Sequence, residues 1–103
     1  MKAFIINGEE YKVFFGHNAL CALENKLGKS IAEIGDFSAT QIQALFWAGL
    51  LAYRRNISYE VAGELIDKVD DYMQFITDLT NEFAESLMQR FKTTVKVETS
   101  KKK

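Results

Sequence analysis

The dipeptide Asn7-Gly8 constrains this chain more than any other feature. It stands between the apolar run Ala3-Phe4-Ile5-Ile6 and the strand-like Tyr11-Lys12-Val13-Phe14-Phe15. Both central positions of a type I′ turn need positive φ, which Asn and Gly tolerate, so the segment reads as a β-hairpin. Gly16 breaks the second strand, and Asn18 offers an N-cap for a helix that follows at once. On that helix Leu20, Leu23 and Leu27 recur at i, i+3 and i+7, and Gly28 supplies the left-handed residue that ends it. Two strands alone are marginal in water, so the hairpin must lie on helices or pair with another copy.

The rest of the chain reads as helix. Ser30 with Glu33 has the capping-box spacing for one further turn carrying Ile31 and Ile34 inward, and Gly35-Asp36-Phe37 reads as a connector. Ser38 with Gln41 repeats the spacing and opens a helix expected to reach Arg55. Its apolar positions are Ile42, Leu45, Phe46, Gly49, Leu50 and Tyr53, with Trp47 and Leu51 on the flank. That stripe is too wide for a lone surface helix, so it is either covered on most sides or meets a second molecule. Ser58 caps a shorter helix with Val61, Ala62, Leu65, Ile66 and Val69 facing in. Asp70 or Asp71 opens the last one, which turns Tyr72, Phe75, Ile76, Leu79, Phe83, Leu87 and Phe91 inward. There is no proline to kink any of them.

The expected fold is therefore α+β: an N-terminal two-stranded hairpin packed on a mostly helical bundle of four to five helices. The hairpin covers 3–15 and the helices about 18–28, 30–35, 39–55, 58–68 and 71–91, all within one compact domain over 1–91. Residues 92–103, KTTVKVETSKKK, leave the helical period and are expected to form a mobile basic tail.

A chain of 103 residues suits one domain, and 48% apolar residues with eight Phe provide a real if modest core. One Cys rules out a disulfide framework within the chain and suits a reducing cytoplasm. The longest apolar run, AGLLAY, is followed at once by Arg54 and Arg55 and is too short for a membrane span. MKAFIINGEE lacks the apolar segment and cleavage site of a signal peptide, so a soluble intracellular protein is expected. The net charge of −1 conceals an asymmetry. Ser58–Gln89 holds eight acids against Lys68 alone, whereas Lys92–Lys103 holds five lysines against Glu98. An acidic face repels phosphate backbones, which excludes nucleic acid as an expected partner.

Chemistry is sparse. His17 and Cys21 lie four apart and can meet across a helical turn, but zinc needs further ligands and there is no other His or Cys. A cysteine nucleophile also needs an orienting group and an oxyanion pocket. The expectation is a small buried Cys21 and a His17 at the helix entrance. Asp70-Asp71 is explained as an N-cap, and Gly28-Lys29-Ser30 lacks the first glycine of a phosphate-binding loop. No catalytic, cofactor-binding or metal residue is assigned, and no enzyme or cofactor is expected. Apolar surface exceeds what such a core needs, which marks an association surface. Phe4, Phe14, Trp47 and Leu51 are its candidate residues, and self-association is expected.

The piece NALCALENKLGKSI carries a resemblance. Asn18, Ala19, Leu20, Cys21, Leu23, Glu24, Leu27, Gly28, Lys29, Ser30 and Ile31 resemble the start of the small tail assembly chaperones of long-tailed phages, prophages and gene transfer agents. There a short hairpin feeds a helix with an Ala-Leu-(Cys)-x-Leu-Glu-x-x-x-Gly pattern and a helical remainder. FSATQIQALFWAGLLAY and ISYEVAGELID extend the match over roughly residues 3–90. The resemblance implies a non-enzymatic chaperone in the host bacterial cytoplasm, absent from the mature virion. It would bind the helical tape measure protein, keep it soluble, and promote assembly of tail tube protein around it. Many members of that family are made in two lengths by ribosomal frameshifting, and Lys101-Lys102-Lys103 can be encoded by a slippery run of adenines. The alternative is a small DNA-binding or antitoxin-like regulator using 58–69 as part of a helix-turn-helix. Glu60, Glu64 and Asp67 would give its recognition helix the wrong sign of charge.

Overall fold

The computed structural model describes residues 2–34 and 38–102, with side chains described to residue 89. The connector Gly35-Asp36-Phe37 lies outside the described residues, as do the side chain of Phe91 and those of the basic segment after it. Strands β1 (Lys2–Ile6) and β2 (Glu9–Val13) pair antiparallel with Phe4 opposite Tyr11 and Ile6 opposite Glu9. Asn7 and Gly8 take φ of 52° and 80°, the pair of values the turn requires. The helices are α1 (His17–Leu27), α2 (Ala39–Leu50), α3 (Tyr59–Ile66) and α4 (Tyr72–Lys102), with a single 3-10 turn at Ile31–Glu33. The architecture is α+β, a hairpin on a helical bundle.

One core joins all of these layers. Phe4, Ile6, Tyr11 and Val13 line the inner face of the hairpin and pack on Ile42, Leu45, Phe46 and Leu50 of α2. Phe4, Phe46 and Phe75 form an aromatic triad with ring centroids 5.0–5.8 Å apart. Phe15 meets Phe83 at 5.4 Å with the rings nearly perpendicular. Edge-to-face pairs of this kind add about 0.5–1.5 kcal/mol beyond area burial. The two sets clip α4 to the hairpin at points two turns apart. Leu20, Leu23, Leu65 and Leu79 complete the core, and Leu27 packs at its margin.

The caps are mostly those read from the sequence. Ser38 Oγ accepts the Gln41 N–H at 3.4 Å, Ser58 Oγ the Val61 N–H at 3.1 Å, and Asp71 Oδ1 the Gln74 N–H at 3.1 Å. Ser30 donates its N–H to Glu33 Oε1 at 2.9 Å, and Gly28 holds φ at 70°. Helix α1 differs. It opens one residue earlier than expected, at His17, because the Gly16 carbonyl accepts the Leu20 N–H at 3.1 Å; Asn18 is inside the helix and is not its N-cap.

Helix α2 ends at Leu50 and not near Arg55. The carbonyl of Gly49 is taken by the N–H of Phe14 at 3.0 Å, so Tyr53 turns its N–H to Leu50 O in a tighter 3-10 bond. Arg54 is drawn toward the hairpin. It meets Glu9 Oε2 at 3.0 Å, donates to Glu10 O at 3.2 Å and stacks 4.4 Å from the Tyr11 ring. At the other end of the chain α4 continues to Lys102, beyond the boundary at 91 expected from the loss of helical period. Three residues assigned inward are instead exposed by 41–50%: Tyr53, Val61 and Tyr72. Each lies near an element end, just after α2 or in the first turn of α3 or α4.

Candidate functional site

The link Phe14-Phe15-Gly16 between β2 and α1 must satisfy two faces, because successive extended residues point in opposite directions. Phe15 turns in and is almost wholly buried, while Phe14 turns out and remains 47% exposed. Beside it lie the first turn of α1 and the last turn of α2. Together Phe14, His17, Ala19, Ala48, Leu51 and Ala52 line a mostly apolar cleft of about 310 Å³, with Gly16 and Asn18 at its margin. The small residues Ala48 and Ala52, one helical turn apart, leave the space between Phe14 and Leu51 open. The Phe14 N–H bond to Gly49 O, 3.0 Å long, fixes the end of β2 against the end of α2.

The four residues read from sequence as an interaction surface separate in space. Phe14 and Leu51 share the cleft. Phe4 is only 8% exposed and belongs to the core, so it is withdrawn from that surface; its strand position faces the bundle. Trp47 lies elsewhere, half-buried and fully engaged. Its Nε1–H donates to Ile57 O at 3.1 Å, its ring meets Tyr59 edge-on at 6.3 Å, and Lys26 Nζ sits 5.6 Å from the Trp47 ring and 4.2 Å from the Tyr59 ring. That cluster ties α1, α2 and α3 together and leaves the indole without a free polar atom.

His17 and Cys21 do meet across the helical turn, with Nε2 and Sγ 3.5 Å apart. Cys21 is exposed, contrary to the buried position expected of it, because its helical position points away from the Leu20–Leu23 face. His17 lies at the entrance of α1, as expected, and forms one rim of the cleft. Among the described residues no group of three His, Cys, Asp or Glu side chains converges as metal ligands would. Among them, too, no helix is long and apolar enough to cross a membrane.

Sequence reasoning did not foresee the roles of Glu24 and Arg54. Glu24 Oε2 accepts the Ile31 N–H at 2.7 Å and pins the 3-10 turn back onto α1. No local rule links residues seven apart across a helix end. Arg54 sits on Tyr11, whose phenol is pushed above its ordinary pKa by burial, then by its hydrogen bond to Glu9 and that carboxylate's charge, with Arg54 pulling the other way. A second cleft of about 370 Å³ lies between α2 and α3 and is edged by Gln43, Asp67 and Tyr72. Its polar rim and the bond from Gln43 Nε2 to Tyr59 O at 3.0 Å make it a wetter seam between helices.

The exposed side of α3 carries Glu60, Glu64 and Asp67. On α4, Glu85 is exposed as well, so the acidic run puts charge on the solvent sides of both helices. No protein-family model, curated protein or solved structure matches the chain.

Proposed function

We propose that this protein is a non-enzymatic tail assembly chaperone of a phage or prophage, acting in the host bacterial cytoplasm and left out of the finished virion. It binds the tape measure protein, keeps it soluble and promotes assembly of the tail tube around it. The observation that carries this reading is the cleft between Phe14 and Leu51. A tape measure protein presents repeated apolar helix faces, and an apolar groove takes a helix by its i, i+3/i+4 side chains. The acidic faces of α3 and α4 keep the chaperone itself hydrated and give it no affinity for phosphate backbones.

The regulator reading, with 58–69 in a helix-turn-helix, has no observation on its side. The carboxylates of Glu60, Glu64 and Asp67 occupy the face a recognition helix would turn to DNA. Co-expression with the tape measure protein from the same gene cluster tests the proposal. The tape measure should remain in the soluble fraction and co-purify with the chaperone. A tape measure that precipitates equally with and without this chain refutes it.

A further inference from the structure

The two edges of the hairpin are treated differently. In a two-residue hairpin the residues flanking the turn form a hydrogen-bonded pair, so Ile6–Glu9, Phe4–Tyr11 and Lys2–Val13 exchange the bonds that hold β1 to β2. By the same alternation the backbone groups of Ala3 and Ile5 point out of the sheet on the β1 side. Those of Glu10, Lys12 and Phe14 point out on the β2 side. The Phe14 N–H to Gly49 O bond confirms that parity and closes the end of the β2 edge on α2. The Ala3 and Ile5 backbone groups find no partner among the described residues.

An open edge is ordinarily blunted by charge, proline or a bulge. Here the five pairs run without a bulge, the chain has no proline, and Lys2 is the one charged residue of β1. Ile5, one of the two residues with free backbone groups, is 68% exposed. This edge is built to be paired.

We propose that β1 pairs antiparallel with β1 of a second copy of this chain, making a continuous four-stranded sheet across a two-fold axis at Phe4. The proposal rests on the hairpin alone and not on the chaperone reading. The register follows from the free groups. With Ala3 opposite the Ile5 of the other copy, and Ile5 opposite its Ala3, all four outward N–H and C=O groups of each strand are satisfied. A shift of two residues either way leaves half of them unpaired. This register also sets a large side chain beside a small one on the outer face, where Ile5 and Ala3 alternate. Charge agrees with it: Lys12 flanks Ala3 and Glu10 flanks Ile5, so each row across the junction ends in a lysine on one copy and a glutamate on the other. A five-residue strand covers less area than a standard interface, so the dimer is concentration-dependent.

Sedimentation equilibrium of the whole chain tests this together with cross-linking. The wild type should pass from monomer to dimer as concentration rises into the millimolar range. Ala3→Pro removes an outward N–H without touching the β1–β2 ladder, since proline is tolerated on edge strands. It should weaken the dimer by at least about tenfold while the melting temperature holds. The register is read separately in a Cys21→Ser background. Paired residues stand about 5.5 Å apart at Cα, within disulfide range. On oxidation the Ala3→Cys/Ile5→Cys double variant should cross-link between chains, and neither single variant alone should. A wild type that stays monomeric throughout, as it would if a foreign strand were the true occupant, overturns the proposal. So does a dimer that persists unchanged in a folded Ala3→Pro variant, or cross-linking by either single variant.

Discussion

Trp47 and Phe14 look alike in the sequence, each a large aromatic beside the main apolar stripe of its element, yet they have opposite fates. Trp47 is bound three ways within its own chain, through Ile57 O, Tyr59 and Lys26. Phe14 bonds through its backbone N–H to Gly49 O, its ring lies against Gly16, and about half of it is left facing the cleft. The difference lies in what each ring can do. An indole has an N–H that must find an acceptor when half-buried, and the loop before α3 supplies one. A phenyl ring makes no such demand, and Phe14, turned away from the core that takes Phe15, keeps 47% of its surface exposed. An aromatic residue whose polar atom is satisfied internally is a structural tie. One left half exposed in a mostly apolar cleft can be covered by a partner.

The severest test of this contrast falls at the base of the cleft. Leu50 and Leu51 are adjacent, but Leu50 is fully buried while Leu51 is partly in water at the cleft wall. Leu50→Ala should cost about 2–5 kcal/mol in chemical denaturation. Leu51→Ala should cost clearly less, because part of its side chain is already hydrated. Equal losses would mean that the cleft is filled core. Next in size is Gly49→Ala. A methyl there would stand 2.8 Å from Val13 Cβ and about 3.0 Å from the Phe15 ring, so the strand end must separate from α2. The expected loss is about 1–3 kcal/mol, read as a lowered denaturation midpoint, with the cleft deformed as well.

Trp47→Phe keeps a ring but deletes the bond to Ile57 O, and should cost about 1 kcal/mol. Phe14→Ser should change stability by no more than about 0.5 kcal/mol, since the ring is half in water and its N–H bond is backbone. Thermal melts of the two variants side by side measure the contrast directly. A Phe14→Ser variant less stable than Trp47→Phe would reverse it. The smallest effect lies away from both aromatics, at the turn after α1. The bond from the Ser30 N–H, and then that from its hydroxyl, hold the Glu33 carboxyl below its ordinary pKa of 4.5. A folded pKa below the unfolded one adds stability above the unfolded value and loses it as pH falls through the folded value. In acid, therefore, the Ser30 amide should lose its bond and shift in an NMR titration. An amide that stays in place after Glu33 is protonated would show that the carboxylate is not what holds this turn.

Most of the fold was legible because local chemistry and burial agree. The Asn7-Gly8 turn, the leucines of α1, the Ser58 and Asp71 caps and the Phe75–Leu79–Phe83 stripe each obey a short-range rule. The misreadings fall where a long-range partner decides. The end of α2 depends on Phe14 capturing the Gly49 carbonyl, which lies 35 positions away in sequence. A short apolar strand does not reveal which face meets the bundle, so its sequence leaves the burial of Phe4 open. Residue type alone puts Cys21 inside, whereas the helical phase set by Leu20 and Leu23 turns it outward. The cleft itself was half visible, in Phe14 and Leu51. Its other lining, Ala48, Ala52 and His17, is small or polar and carries no signal until three elements are brought together.

If the Phe14–Leu51 cleft receives the tape measure and the Trp47 cluster serves only the fold, substitutions at the two aromatics should separate binding from stability. Co-purification of the tape measure protein with the wild-type chain, Phe14→Ser and Trp47→Phe, expressed in parallel, tests it most directly. Phe14→Ser should lose the tape measure although it remains folded, and Trp47→Phe should retain it. Retention by Phe14→Ser at the wild-type level would show that the cleft does not receive the tape measure.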